Sequence, residues 1–387
     1  MSDPTIQDAK SPVRFLPDDP ARPPQPGIAL CLSGGGYRAM LFHAGALLRL
    51  NELGYLPKLN RISSVSGGSI TAGLLALKWN GLAFDANGVA AALTTEVIAP
   101  LCAMANVTID VSDIVKGLLL PGSVADKVVE SYTEHLFGHA TLQDLPDEPR
   151  FVINATNVQS GALWRFSKPF MADWRVGLIR NPKTPLAVAV GASSAFPPVL
   201  SPARLKINPS AFEPGSGADL QREPFTTDVF LTDGGVYDNL GLETAWKVYQ
   251  TILVSDGGGH MAADPSPDTD WARHALRVND LIDNQVRSLR QRQLIDSYTS
   301  GERTGTYWAT RSDLLHYPAA GTLPCPLAAT QQLAAVPTRL ARLDDVTQKR
   351  LINWGYAICD AAMRGHVVPG AVAPAGFPYP NIGVGGV

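Results

Sequence analysis

The chain has 387 residues, 45% of them apolar and 17% charged, and a formal net charge of −3. That is enough apolar material to fill one large α/β core or two smaller ones, and the low charge points to much buried surface, an apolar binding face, or both. The near-neutral balance gives no bulk attraction to nucleic acid or anionic lipid, so no nucleic-acid partner is expected.

Cys31, Cys102, Cys325 and Cys359 lie far apart and form no C-x-x-C pair, so neither a zinc site nor a disulfide framework is expected. No apolar run reaches the roughly 18 residues that a membrane span needs. The first residues lack a basic segment followed by an apolar one, so no secretory signal is expected either. The composition therefore predicts a cytoplasmic chain whose contact with a membrane is at most peripheral.

Residues 1 to about 26 are rich in Pro and Asp and predict an extended tail, with Pro23, Pro24 and Pro26 set against helix. A strand follows over about 27–33. It runs into Ser33-Gly34-Gly35-Gly36-Tyr37-Arg38, and apolar residues then recur at helical spacing, predicting a helix over about 37–53. Three consecutive glycines leave backbone N–H groups unshielded at a helix N-terminus, where negative charge is favoured. Such a loop holds a phosphate or the oxyanion of a tetrahedral intermediate. The nucleotide signatures G-x-x-x-x-G-K-[ST] and G-x-G-x-x-G are absent. Arg38 sets a cation just past the donors, suited to an anionic head group or an oxyanion; the alternative is a solvated first-turn arginine. Cys31 in the strand reads as packing, and His43 in the helix as packed or partly exposed.

A second strand over about 60–65 ends abruptly at Ser66-Gly67-Gly68, and a buried helix is predicted over about 69–80. This is the layout of a nucleophile elbow, a serine on a tight strand-to-helix turn with the helix N-terminus aimed at it. The turn crowds the backbone, so small residues must flank the serine. The usual G-x-S-x-G reads Ser64-Val65-Ser66-Gly67-Gly68 here, with Ser64 in place of the first glycine. An ordinary Ser-Gly turn is the alternative.

Residues 85–138 predict a helical insertion, in which Ser123 and Asp126 suit a capping-box-like start and apolar Ile114 to Pro121 is either core or a lipid-facing lid. Strands return at about 150–155 and 162–166, and 203–226 reads as a loop. Val229-Phe230-Leu231 predicts a short buried strand with Asp233 at its end, followed by Gly234-Gly235. A carboxylate there stands where open α/β sheets place their sites, and it can take the Ser66 proton if it lies within hydrogen-bond reach. Asp256, followed by Gly257-Gly258-Gly259, has the same setting, and spacing alone does not choose between the two. A helical pattern runs over about 271–297 and contains the basic run Arg287-Ser288-Leu289-Arg290-Gln291-Arg292, a solvated face or a local contact for nucleic acid or anionic lipid. From about 367 to 387 the chain is Pro, Gly and Ala without period, hence irregular.

These blocks together resemble the patatin-like phospholipases, a family of lipid acyl hydrolases. The glycine loop with its arginine matches Gly34 to Arg38, although Ala39 stands where a further glycine is usual. The elbow matches Ser64 to Gly68. The D-G-[GA] block matches Asp233-Gly234-Gly235, and [AG]-S-x-[AG]-x-P matches Ala192 to Pro197. The blocks occur in the family's order over roughly residues 27–260. The resemblance implies a three-layer α/β sandwich with a mostly parallel central sheet and helices on both faces. It implies one catalytic domain over about 27–366, with the insertion at 85–138 and a C-terminal helical part at 271–366. It also implies a Ser66–Asp233 dyad, an oxyanion hole from Gly34, Gly35, Gly36 and Arg38, a lipid or phospholipid substrate, and no catalytic histidine, cofactor or metal. It favours Asp233 over Asp256, because only Asp233 is followed by the family-like Val236-Tyr237-Asp238-Asn239.

Two other readings stand beside it. An α/β-hydrolase triad would take Ser66, Asp233 and one of His260, His274, His316 or His366, of which His260 after its glycine run is the best placed. That elbow normally follows several strands, and here one clear strand precedes it. A non-catalytic binding protein on a degenerate hydrolase fold is the third reading, set against the presence of both Ser66 and Asp233.

Overall fold

The computed structural model describes residues 23–109 and 124–386. Most of the expected N-terminal tail, the apolar Ile114 to Pro121 and the capping Ser123 lie outside these residues. Strand β1 (Gln25–Leu32) leads into helix α1 (Gly36–Glu52), and β2 (Arg61–Val65) into α2 (Gly67–Lys78). Helices α3 (Ala99–Met104) and α4 (Val124–Tyr132) precede strands β3 (Arg150–Asn157), β4 (Ala162–Phe166), β5 (Phe170–Asp173) and β6 (Gly177–Arg180). Then come α5 (Leu186–Ser193), β7 (Ala203–Lys206), β8 (Asp228–Asp233), the single turns α6 (Gly235–Asp238) and α7 (Glu243–Trp246), and β9 (Tyr249–Asp256). The long α8 (Trp271–Thr299), β10 (Thr304–Ala309), α9 (Leu327–Ala334) and α10 (Asp345–His366) complete the described chain.

The described strands form one sheet in the order β10-β9-β1-β2-β3-β4-β5-β6, with β8 on β3 and β7 on β8. Its centre, β10 to β3, is parallel throughout; β4 to β6 and the β7–β8 pair extend it antiparallel. Parallel strands are buried on both faces, so they read as continuous apolar runs. β1 shows this directly. Leu30 and Leu32 enter the core beneath α1 and α10, while the alternate residues Ala29 and Cys31 join Ile252, Val254 and Leu294 on the other face. The result is an α/β fold of three layers, with helices on both sides of the sheet.

The sequence pattern missed β5, β6, β7 and β10. Two were hidden for a visible reason. β7 falls in the Gly- and Pro-rich stretch expected to be a loop, and β10 lies inside the expected C-terminal helical part, where it pairs with the edge of β9. Residues 367–386 after α10 contain no helix or strand. All four cysteines are unpaired, with Cys31 and Cys359 buried. No helix among the described residues is long and apolar enough to cross a membrane.

Candidate active site

β2 and β8 lie on the same edge of β3 and run toward each other. Val65, the last residue of β2, pairs with Asn154, and Asp233, the last residue of β8, pairs with Ala155. Two strand ends separated by one residue of a common partner must meet, and what they deliver to the meeting point is Ser66 and Asp233.

Ser66 turns the chain from β2 into α2 with φ +51° and ψ −121°, a left-handed conformation that non-glycine residues adopt only when their surroundings hold them in it. The surroundings here are a chain of buried hydroxyls. The Ser66 N–H donates to Ser193 Oγ at 3.0 Å, Ser193 Oγ donates to the Asn154 carbonyl at 2.6 Å, and Ser69 Oγ lies 2.9 Å from Ser193 Oγ. Ser69 also bonds to Ser64 Oγ at 3.0 Å. The serine that replaces the first elbow glycine is therefore a member of this chain. The same segment fixes Asp233: its N–H donates to the Ala195 carbonyl at 2.9 Å, and the Gly234 N–H donates to the Ser193 carbonyl at 3.3 Å. Residues 193–195 thus tie the serine turn to the aspartate turn.

The Asp233 carboxyl is buried. The Gly235 N–H donates to Oδ1 at 2.7 Å, while Oδ2 has no aligned donor. Burial pushes this carboxyl up to about 7, against the Gly235 N–H and the Ser66 hydroxyl, which both favour the carboxylate; the charge of Asp283 on α8 adds to the upward push. The Ser66 hydroxyl therefore bears on the carboxyl without a directed bond to either oxygen, the loose contact common before substrate binds.

The glycine loop lies against the serine turn. A side chain at Gly34 would meet the Ser66 Cβ and the Asn239 amide, and one at Gly67 would strike the peptide of Gly36. Gly35 and Gly36 take φ of +143° and +59°, which opens the start of α1. Gly34 departs from its expected part as a donor, because its N–H is spent on the Asn239 carbonyl at 3.0 Å. The N–H groups of Gly35, Gly36 and Gly67 have no hydrogen-bond partner among the described residues. Gly67 was not singled out in the sequence, although the rule that the residue after an elbow nucleophile offers its N–H would have found it.

Arg38, expected beside the oxyanion, spends its donors on backbone carbonyls. Its Nε and Nη2 donate to the Gly257 carbonyl at 3.2 and 2.9 Å, and its Nη1 to the carbonyls of Ala334 and Val336, each at 2.7 Å. Burial lowers its pKa to about 10, which leaves it charged at neutral pH. It clamps the start of α1 to the β9–α8 loop and to the segment after α9.

Asp256 is a different kind of residue from Asp233. Tyr307 and Gln291 donate to its Oδ2 at 2.8 and 3.0 Å, and the Gly258 N–H to its Oδ1 at 2.8 Å. It is buried, but nearby Arg287 and these donors hold its pKa below the usual carboxylate value. His43 is buried between Ser255 Oγ at 2.8 Å and the Ser33 carbonyl at 3.0 Å. A carbonyl only accepts, so Nε2 carries the proton and Nδ1 accepts from Ser255. Burial lowers its pKa to about 4, so it is neutral. His260, His274, His316 and His366 are exposed, and none makes a hydrogen bond to Ser66 or Asp233. Among the described residues no cluster of His, Cys, Asp or Glu is arranged to hold a metal ion.

The arrangement defines an α/β protein whose serine turn, buried carboxyl and open amides converge where the central strands end. A model of the patatin-like phospholipase family matches residues 30–246, more than half of the 387, and the chain belongs to that family. Comparison with curated proteins gives no match. Among solved structures, human GIVD cytosolic phospholipase A2 is 12% identical with a TM-score of 0.48, over 86% of this chain and 60% of that one. The same protein in complex with methyl gamma-linolenyl fluorophosphonate is 15% identical with a TM-score of 0.48, over 90% and 58%. VipD from Legionella pneumophila is 16% identical with a TM-score of 0.34, over 88% and 66%. The chain thus spans about three fifths of the length of the first structures it resembles.

Proposed function

We propose that this chain is a serine lipid acyl hydrolase that cleaves carboxylic esters of phospholipids or other acyl lipids through a Ser66–Asp233 dyad. The observation that carries the reading is the convergence of β2 and β8 on adjacent residues of β3, which brings the Ser66 hydroxyl against the Asp233 carboxyl. Asp233 takes the Ser66 proton as Oγ attacks the ester carbonyl. The N–H groups of Gly35, Gly36 and Gly67 receive the oxyanion, and Asp233 returns the proton to the departing alcohol. Water then enters, gives a proton to Asp233 and attacks the acyl-enzyme; as the fatty acid leaves, Asp233 passes that proton to Ser66 Oγ and both residues return to their starting state. No histidine takes part, and Arg38 acts by holding the loop. Membership of the phospholipase family supports the lipid ester as substrate.

The test is mass spectrometry of products from a mixed lipid extract, beside turnover of a short-chain nitrophenyl ester. Ser66→Ala and Asp233→Asn should each lower turnover by at least about a hundred-fold with the fold intact. Wild-type turnover in Ser66→Ala, or activity that survives Asp233→Asn but fails in Asp256→Asn, refutes the dyad.

A further inference from the structure

Helix α8 is amphipathic in the reverse sense. From Arg287 to Gln291 the side facing the protein is polar, and Leu294 and Tyr298 pack apolar surface on the sheet only beyond it: Arg287 donates to the Gly259 carbonyl, Arg290 to Glu243 at 3.2 Å, and Gln291 to Asp256 at 3.0 Å and to Tyr307 at 2.7 Å. Two arginines of the basic run are thereby turned inward. The side facing solvent is apolar: Trp271 is 86% exposed, and Val278, Leu281, Ile282 and Leu289 all stand exposed with it. Trp271, Val278, Ile282 and Leu289 follow at spacings of 7, 4 and 7, whole numbers of turns, so they form one line. The line continues toward the candidate site. Arg290 packs over the Tyr237 ring at 6.0 Å, and the neighbouring Val236 is half exposed, three residues from Asp233.

We propose that this face of α8 docks on the surface of a zwitterionic phospholipid layer and sets the mouth of the site against it. The proposal rests on the reading of the site as a lipid ester hydrolase. Two observations favour this occupant. The line from Trp271 to Leu289 is about 27 Å long on a helix about 10 Å wide, an area on the order of 300 Å². That is well short of the roughly 800 Å² per partner that a stable protein interface needs, whereas apolar side chains flanked by arginines are what a helix lying in a lipid interface presents. The charge pattern selects the head group. Arg273 lies 3.4 Å from Asp268 and Arg277 3.8 Å from Asp264 on the flanks of the helix, and exposed Arg292 beside the line is followed one turn on by exposed Asp296, so the face carries both signs and suits a layer that does the same.

The experiment measures co-sedimentation of the Ser66→Ala protein with phosphatidylcholine vesicles, with and without added phosphatidylglycerol. The protein should bind phosphatidylcholine alone. Adding Ile282→Asp and Leu289→Asp should weaken binding by at least about tenfold, while the same two changes in the otherwise wild-type enzyme leave turnover of a soluble nitrophenyl ester unchanged. If the double variant loses ester turnover through misfolding, Trp271→Ala decides, with an expected loss of binding of about threefold or more. Binding unchanged in the variants, no binding without the anionic lipid, or a dimer that the double variant converts to monomer overturns the proposal. The binding arm needs no catalysis, so failure of the dyad would appear separately, as ester turnover by Ser66→Ala.

Discussion

Ser193 touches no reacting atom, yet Ser193→Ala should impair both stability and turnover. The hydroxyl accepts from the Ser66 N–H at 3.0 Å, donates to the Asn154 carbonyl at 2.6 Å and lies 2.9 Å from Ser69 Oγ, all in buried surroundings. Removing it leaves the Ser66 N–H and the Asn154 carbonyl without their partner. A buried polar group left unsatisfied costs about 1–3 kcal/mol, so the two orphaned groups put the loss of stability at roughly 2–6 kcal/mol. Part of that falls on the serine turn, whose left-handed backbone is held through this N–H. If about 1.4 kcal/mol of it appears as loss of positioning, turnover falls about tenfold. The assay pairs urea unfolding with kcat and KM on a soluble ester. The expected signature is a lower kcat with KM little changed, because the altered residue repositions the nucleophile and does not bind substrate. A variant with the wild-type unfolding midpoint and wild-type kcat would refute the claim that this hydroxyl holds the elbow.

The pH profile should report Asp233. In the proposed dyad the carboxyl must be ionised to take the Ser66 proton, so kcat/KM should rise with pH up to about 7 and level off above it, and Asp283→Asn should move the rise to lower pH by removing a repulsive charge. Stability runs the other way. The folded-state value of about 7 lies above the ordinary 3.8, so ionising Asp233 costs nothing below pH 3.8, costs progressively more as pH rises, and reaches on the order of 4 kcal/mol above pH 7. Asp233→Asn should therefore raise the urea midpoint at pH 8 and leave it nearly unchanged at pH 4, measured by unfolding at both values. Arg38→Ala should orphan the carbonyls of Gly257, Ala334 and Val336 and destabilise the fold by on the order of 3 kcal/mol, and Arg38→Lys should recover only part of it, because a single ammonium cannot span the three.

The two turns of the candidate site were legible because their geometry is local. Ser66 and Asp233 each end a short apolar run and precede small residues, and both features follow from strand and turn physics within a few positions. What brings them together was not legible. The meeting of β2 and β8 depends on β3 running three residues past the end of β2, to Asn157, a fact of pairing between segments more than seventy residues apart. Arg38 shows the same limit. Its place beside the glycines was plain, but its carbonyl partners lie 219 to 298 residues further along, and a long side chain goes where they are. In α8 the 3.6-residue period marked a helix and carried no sign of which side faces the protein. Asp256 has the local setting of Asp233, and the structure adds what spacing could not show, that it is surrounded by more donors.

The shared edge on β3 also acts as a ruler. Successive rungs stand about 3.3 Å apart, and side chains on neighbouring rungs point to opposite faces of the sheet. Asp233 sits on the rung of Ala155, one beyond the rung where β2 stops. Adding or deleting a single residue within 228–233 would swing the carboxyl to the far side of the sheet even where the strand itself survived. The length of β8 from Asp228 to Asp233 is therefore fixed by its pairing with β3.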